Sequence, residues 1–304
     1  MTSEGNAALM DLRDGGRWSL AQRGKNDLLH LAARAALGVG RLPPHWRARL
    51  GSVAGSLIYA LAPSLRRTAI DQLGRAFPQG DAPELARRTF RELGVLLAEA
   101  TAAVAGGSAV LPFPENQRAV LDEARAAGCG VVLASAHLGP FERVATTLAT
   151  TLAGAEPFAV VGRESYDPRL MSLYRRLRRY ETIYRGAPGA GVRMVRVLRT
   201  GGVLGIPMDL KTRAPSVDAD LLGLGPVPTA VGPARLALRS GARVVVATVA
   251  PHDGDLAVTV TAVGTSDLGR DPASAVELTR RLNAELDRRI RALPHFWPWM
   301  HRRS

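Results

Sequence analysis

The chain has 304 residues, of which 46% are hydrophobic, so it is long enough to bury the core of one large domain or two small ones. Lys and Arg outnumber Asp and Glu by 40 to 27, which gives a net charge of +13. This charge favours anionic partners: membrane headgroups, an acidic carrier protein, a phosphorylated lipid or nucleic acid. The single cysteine, Cys129, excludes an internal disulfide framework.

The amino-terminal part of the sequence predicts helices rather than a membrane span. Met1 to Gly16 carries acidic and basic residues and has no apolar core, so no secretory signal is expected there. The apolar stretches Leu28 to Gly40 and Gly51 to Ser64 are shorter than the ~20 residues that cross a bilayer. We expect residues 1–25 to be disordered and residues 26–106 to form a helical, membrane-proximal subdomain.

Four helices are predicted within this subdomain. Three cover residues 28–37, 46–61 and 64–77. The fourth follows Asp81, a good helix cap. The apolar segments are flanked by arginines: Arg41, Arg47, Arg49, Arg66 and Arg67. This pattern is typical of helices that lie on a membrane surface, and equally of core helices with charged ends, and the sequence leaves both open.

From residue 130 onward, strand-like and helix-like runs alternate. Strands are predicted over 131–136, 157–163, 182–184, 202–209, 244–249 and 256–263. Helices are predicted from residue 140, over 167–180, 191–199 and 233–240, and in a long last segment from residue 271. This alternation predicts an α/β fold over residues 107–304, with a largely parallel sheet flanked by helices and the helical amino-terminal subdomain packed alongside.

His137 stands at the end of the first predicted strand and is the leading candidate for a catalytic residue. The next helix is predicted to start with Pro140, which places Glu142 in its first turn. A glutamate beside an imidazole can fix its tautomer and stabilise the imidazolium, as in hydrolytic triads. Amides at the helix start, from Leu138 and Gly139 onward, could receive an oxyanion. A turn histidine and a glutamate that only meets the helix dipole would give the same pattern.

Arg163 and Asp209 also end predicted strands. Because ligands gather at the carboxyl ends of parallel strands, we expect both residues near His137. Arg163 could bind a phosphate or carboxylate or support the oxyanion, although a plain surface arginine fits the sequence too. Asp209 could orient the acceptor or Arg163, or could simply cap the strand.

Several segments resemble one family in the same order along the chain. His137-Leu-Gly-Pro-Phe-Glu142 resembles the H-x4-[DE] motif of the late, secondary lipid A biosynthesis acyltransferases, within the lysophospholipid acyltransferase superfamily. Three other stretches are similar to family segments: residues 72–78 (with Gln72 where Asn is usual), residues 232–237 (Gly-Pro-Ala-x-Leu-Ala) and residues 299–303 (Trp-x-His-Arg-Arg). The resemblance implies a glycerolipid acyltransferase-like α/β core.

The resemblance also assigns roles to residues. Family members carry an arginine at the place of Arg163, and Asp209 to Arg213 resembles their Asp-Gln-x-x-Arg segment, without its Gln. It implies that Lys211 and Arg213 contact the headgroup or the carrier. Leu138 to Pro140 departs from the family's usual Gly-Asn before the aromatic residue.

The activity that the resemblance implies is a membrane-associated O-acyltransferase. Its co-substrate would be a thioester of acyl carrier protein or coenzyme A, with no further cofactor and no metal. The acceptor would be an anionic membrane glycolipid, foremost a lipid A precursor, although phosphatidylinositol mannoside acyltransferases share the core motif. Without a signal or a spanning helix, the expected place is the cytoplasmic face of the bacterial inner membrane, as a peripheral protein.

Two other classes of function stay open on sequence alone. A thioesterase or another hydrolase could use the same His–Glu pair on water, but no G-x-S-x-G elbow surrounds a serine. A basic nucleic-acid-binding protein fits the charge. However, the sequence has no helix-turn-helix, zinc-finger or RNP signature, and aromatic residues are only 5% of the chain, so no nucleic acid partner is expected.

Overall fold

The computed structural model describes residues 18–104, 110–154, 156–165, 167–178, 180–211 and 214–303. Arg213 and the first 17 residues of the segment predicted to be disordered lie outside this part of the chain. The helices are α1 Leu20–Val39, α2 Pro44–Leu61, α3 Pro63–Ala76, α4 Ala82–Val104, α5 Glu115–Ala126, α6 Phe141–Thr151, α7 Pro168–Leu177, α8 Ala190–Arg199, α9 Gly232–Ser240 and α10 Pro272–Ala292, followed by a short 3₁₀ turn, Pro294–Phe296. The strands are β1 Val131–Ser135, β2 Phe158–Gly162, β3 Glu181–Tyr184, β4 Val203–Pro207, β5 Ser216–Asp220, β6 Pro226–Ala230, β7 Arg243–His252 and β8 Asp255–Val263.

The main sheet has six strands in the order β3-β2-β4-β1-β7-β8. All neighbours in it are parallel except β7 and β8, which form an antiparallel hairpin at one edge. The central strands β1 and β4 are buried along nearly their whole length, as their runs of Val, Leu and Ile predict. The predicted α/β class with a largely parallel sheet and a helical amino-terminal region is confirmed.

A second sheet was not predicted. Strands β5 and β6 pair in antiparallel register in a region where the sequence analysis predicts no strand. The turn between them holds Leu222, Gly223 and Gly225 at positive φ, and Leu222 is fully buried. Helix α10 anchors this hairpin, because Asn283 Nδ2 donates to the carbonyl of Asp220 at 3.1 Å. Long-range packing of this kind leaves no short-range pattern in the sequence.

Helix α1 begins earlier than predicted. Ser19 caps it, and its hydroxyl and the Gln22 side chain form a reciprocal capping box. Residues 20–25, predicted to be disordered, are therefore helical.

Helix α2 packs its glycine face, and not its leucine face, against α4. A Cβ built on Gly55 would lie 2.0 Å from the carbonyl oxygen of Phe90, so the two backbones are in direct contact. Large apolar side chains point outward instead: Trp46, Leu50, Val53, Leu57 and Leu61 are 41–78% exposed. Spacings of three and four residues put them on one face of the helix. Within the described residues, no helix combines the length and the hydropathy that a bilayer span requires.

Candidate active site

His137 lies two residues beyond β1, in the turn that leads into α6. Gly139, in that turn, has φ +62°, and a Cβ there would lie 2.8 Å from Cγ2 of Val249, so only glycine fits without a shift. The imidazole stacks edge-to-face on Phe141, with the ring centroids 4.6 Å apart. Its side chain is 26% exposed and lines a cavity of about 840 Å³. His137 is therefore fixed in position and still open to a substrate.

The residue that holds the imidazole is Asp209. Its Oδ1 lies 2.8 Å from Nδ1 of His137, and its Oδ2 accepts the backbone amide of His137 at 3.0 Å. Oδ2 also accepts the indole N–H of Trp297 at 2.8 Å. Because the Asp209 carboxylate accepts a hydrogen bond from Nδ1–H, the proton of the neutral imidazole stays on Nδ1, and Nε2 is left with its lone pair, as a general base requires.

The Asp209 carboxyl is completely buried and stays ionised. Burial by itself would raise its pKa, but His137, the nearby Arg303 guanidinium and the Trp297 N–H together outweigh burial and lower the pKa to about 2. Burial in turn lowers the pKa of Arg303 to about 10, against the attraction of Asp209. The site therefore holds a negative charge behind the imidazole at neutral pH, ready to stabilise an imidazolium.

The predicted contact between Glu142 and His137 is not formed in the described structure. The Glu142 carboxylate instead accepts from Nε of Arg178 at 3.1 and 3.2 Å, from Nη2 of Arg178 at 2.7 Å, and from the Tyr180 hydroxyl at 2.5 Å. The reason is geometric: Glu142 sits in the first turn of α6, facing the segment that joins α7 to β3, whereas Asp209 follows the neighbouring strand β4.

The Glu142 cluster is electrostatically tight. Burial acts against the charged form of Arg178, but its hydrogen bonds and its attraction to Glu142 raise its pKa overall. Burial and then Glu142 raise the pKa of Tyr180, which stays a hydrogen-bond donor. The Nη1 of Arg178 is buried and makes no hydrogen bond to any described residue. Arg178 and Tyr180 were not predicted as site residues, because they carry no motif and belong to a stretch that sequence patterning assigns to a basic helix.

The predicted oxyanion amides are only partly available. The amide of Gly139 donates to the carbonyl of Phe296 at 2.9 Å, so it cannot also receive an oxyanion as predicted. Leu138 has a fully buried side chain in the hydrophobic core. The turn is thus hydrogen-bonded to the carboxyl-terminal segment, and the Gly139 amide is not available to a substrate.

The cavity in front of His137 has a volume of about 840 Å³. One face of the main sheet forms its floor, with side chains from β2, β4, β1 and β7, and helix α6 forms a wall. Gly205, at the centre of the floor, adds no side chain. The floor and walls that continue inward from His137 are apolar: Leu133, Val144, Leu148, Phe158, Val160, Met194 and Leu236.

Cationic side chains ring this cavity. Arg163 and Lys211, both predicted as substrate contacts, are exposed and line it. Arg185, Arg235 and Arg239 were not predicted and also line it. An apolar interior with a basic rim can hold an acyl chain next to a phosphate or another anion. Arg213 lies outside the described residues.

The carboxyl-terminal segment closes the site from behind. Trp297 and Trp299 are fully buried and stack edge-to-face, with centroids 4.7 Å apart. Arg303 lies over the Trp297 ring, with Cζ 4.1 Å from the centroid. Because both tryptophans are fully buried, they hold the carboxyl-terminal segment to the domain and do not face a membrane.

The chain matches a family model over nearly its whole length. The model is described as bacterial lipid A biosynthesis acyltransferase, and it covers residues 25–304. This match confirms the resemblance inferred from the motifs. A comparison with curated proteins found no match.

Proposed function

Because the chain belongs to the bacterial lipid A biosynthesis acyltransferase family and is therefore an acyltransferase, we propose that it moves a fatty acyl chain from a thioester to a hydroxyl of a phosphorylated glycolipid. The preferred acceptor is a lipid A precursor, and the donor is the thioester of acyl carrier protein or coenzyme A. The observation that carries this proposal is the His137 imidazole, held on a buried carboxylate at the mouth of an apolar cavity. No further cofactor is needed.

The proposed reaction runs through His137. Its Nε2 removes the proton of the acceptor hydroxyl while the hydroxyl oxygen attacks the thioester carbonyl carbon. The tetrahedral intermediate then collapses with cleavage of the C–S bond, and the thiolate takes the proton back from the imidazolium. An ester and a free thiol are the products, and no covalent enzyme intermediate forms.

Asp209 supports this step from the far side of the ring. Its carboxylate keeps the proton on Nδ1 and offsets the positive charge that appears on the imidazole in the transition state. The Trp297 indole N–H and the His137 backbone amide both donate hydrogen bonds to the other carboxylate oxygen, Oδ2. These bonds fix the orientation of the carboxylate. Asp209 therefore takes the positioning role that the sequence assigns to Glu142.

Glu142 serves the reaction through Arg178 in this proposal. The carboxylate holds Nε and Nη2 of Arg178, which leaves the buried Nη1 as a charged donor that no described residue occupies. A donor of this kind in a cavity wall suits a developing oxyanion or a substrate phosphate. Arg163 and Lys211 on the rim suit the carrier or the headgroup phosphates.

We place the protein on the membrane through the outward face of α2. Trp46, Leu50, Val53, Leu57 and Leu61 form an apolar stripe that no described element covers. A contiguous exposed stripe of this kind is rare on a protein that contacts only water. Arg49, whose Cζ lies 5.8 Å from the Trp46 ring centroid, adds a cation beside the stripe. Because the donors are intracellular thioesters, we assign the docking to the cytoplasmic face of the inner membrane.

The arginines beside the apolar helices do not all share this role. Arg47 is mostly buried and pairs with Glu99, with Nε 3.1 Å from Oε1. Arg66 donates to the carbonyls of Tyr59 and Ala60 at the end of α2. Both are structural contacts. Among these flanking arginines, this leaves Arg41 and Arg49 as cations for an anionic surface, while Arg67 donates to the carbonyl of Pro63.

The deciding experiment follows labelled acyl chains from acyl carrier protein and from coenzyme A. The full chain, a His137→Ala variant and a His252→Ala control are incubated with a purified lipid A precursor or with phosphatidylinositol mannoside. His252 is a suitable control because it is half exposed, lies at the end of β7 and forms its ion pair with the neighbouring Asp253. We expect label in the lipid A precursor with the parent and the control, and none with His137→Ala. Label in free fatty acid alone would identify a hydrolase, and transfer that survives His137→Ala would rule out the proposed base.

A further inference from the structure

We propose that a second pocket, separate from the acyl cavity, binds a phosphate monoester of the acceptor glycolipid. This α3 pocket has a volume of about 570 Å³. It is lined by Ser64, Arg67, Thr68, Asp71, Gln72 and Arg302. The inference rests on the proposed function, because it assigns part of the same acceptor molecule to this pocket.

The lining has the donors that a phosphate group requires. Neither Arg67 nor Arg302 forms an ion pair with a carboxylate of the described residues within 4.0 Å. Nε of Arg67 donates to the carbonyl of Pro63 at 3.3 Å, which sets the direction of its guanidinium. A planar guanidinium with its Nη groups available is well matched to phosphate oxygens.

The helix that bears the pocket adds further donors. Ser64 is in the first turn of α3, where backbone N–H groups have no partner within the helix. Arg67, Thr68 and Asp71 follow at spacings of three, four and seven from Ser64, so all four residues share one face of α3. With two arginines and Asp71, the lining carries one net positive charge. This small net charge suits the binding of one anion better than a general attraction to an anionic surface.

The pocket adjoins the proposed membrane surface. Leu61, at the end of the α2 stripe, is 78% exposed, and Leu65, next to Ser64, is 39% exposed. A phosphate on a lipid embedded beside these leucines would therefore lie at the depth of the α3 pocket. This position favours a lipid-borne phosphate over a soluble one.

One wall of the pocket also belongs to the active site. Gln72 Nε2 donates to the carbonyls of Trp299 and His301, at 2.5 and 3.0 Å, and its Oε1 accepts the amide of Arg303 at 3.1 Å. The same carboxyl-terminal segment provides Trp297, the partner of Asp209. The α3 pocket and the His137–Asp209 pair are thus both hydrogen-bonded to this one segment. We therefore assign the phosphate to the molecule whose hydroxyl reacts at His137, and not to a bulk phospholipid.

The first test compares acceptors with and without the phosphate. Acylation of a phosphorylated lipid A precursor and of its enzymatically dephosphorylated form is measured for the full chain, Arg67→Gln, Arg302→Gln and the double variant. Arg280→Gln is the control, since Arg280 is an exposed helical arginine outside the pocket. Loss of a charged hydrogen bond predicts a KM for the phosphorylated acceptor that rises about ten- to a hundredfold, with kcat nearly unchanged. Equal effects on both acceptors would refute the assignment.

The second test does not depend on acyl transfer. Binding to phosphatidylcholine vesicles is compared when they contain phosphatidic acid, a phosphate monoester, or phosphatidylglycerol, a diester, at matched surface charge. We expect Arg67→Gln and Arg302→Gln to weaken binding to the monoester vesicles and Asp71→Asn to strengthen it. Opposite signs within one pocket cannot come from loss of fold. Loss of binding to both vesicle types alike would show a general membrane contact and overturn the proposal, whatever the outcome of the transfer assay.

Discussion

Replacing Asp209 by Asn tests the central claim about the site most directly. The amide keeps one oxygen for the Trp297 indole and the His137 backbone amide, so the packing of the buried side chain is largely retained. What changes is the negative charge at Nδ1 of His137. An amide N–H facing Nδ1 would also favour the tautomer in which Nε2 carries the proton and cannot act as a base.

The size of the effect follows from the charge. A carboxylate and an imidazolium whose charge centres lie about 4 Å apart attract by about 4 kcal/mol at an effective dielectric constant of about 20. Since each 1.36 kcal/mol of transition-state stabilisation is a factor of ten in rate, we expect kcat to fall about a thousandfold. The wrong tautomer would add to this loss, and KM for the acceptor should change little.

The assay is steady-state transfer of labelled acyl chain, with melting temperatures measured for every variant. Glu142→Gln is the matched comparison, because it removes a carboxylate from the same cavity that pairs with Arg178 and not with His137. We expect a smaller loss of kcat from Glu142→Gln than from Asp209→Asn. An Asp209→Asn variant that folds and keeps more than a tenth of the parent kcat would refute the role assigned to Asp209.

Three further predictions concern stability and membrane binding. Gly55→Ala should lower the free energy of unfolding by about 1–3 kcal/mol, because its Cβ would meet the Phe90 carbonyl. Gly38→Ala, with open space around it, should leave the free energy of unfolding unchanged or raise it. Burial and the nearby Arg88 lower the pKa of His295 to about 4 in the folded protein. Between pH 6.5 and pH 4, His295 is therefore protonated in the unfolded chain but still neutral in the folded one, which favours unfolding. Melting temperatures should therefore fall across that window, and less so in His295→Gln. Leu57→Asp should abolish binding to anionic vesicles without lowering the melting temperature, and unchanged binding would remove α2 from the membrane contact.

The sequence located the strands of the main sheet and their ends well, because short apolar runs closed by turn residues are local signals. It could not tell which strands are neighbours. Strand β4 pairs with β1 in a register that sets Ser135 opposite Pro207. Two residues beyond these positions, after the end of each strand, the same register brings His137 beside Asp209. Glu142 was the natural partner by distance along the chain, and Asp209 is the partner because of strand pairing.

Two other differences have the same origin. The β5–β6 hairpin depends on contacts with α10, and the Arg178–Tyr180 cluster depends on where the segment after α7 lies against α6. Neither contact leaves a periodic pattern in the residues concerned. For α2, the pattern of apolar residues was visible, but which face turns toward the protein was decided by glycines that permit close helix approach.

Helix α2 packs its glycines inward and exposes its leucines, and this has a practical consequence for anyone who engineers this protein. Ordinary rules for improving solubility would select the leucines on its outer face for replacement by charged residues and would leave its glycines alone or fill them. On the membrane-docking proposal, the first change would raise the yield of a protein that no longer reaches its lipid, and the second would push the two helices apart. Variants ranked by expression or by thermal shift in detergent-free buffer would therefore be ranked against function, and selection has to include a bilayer from the start.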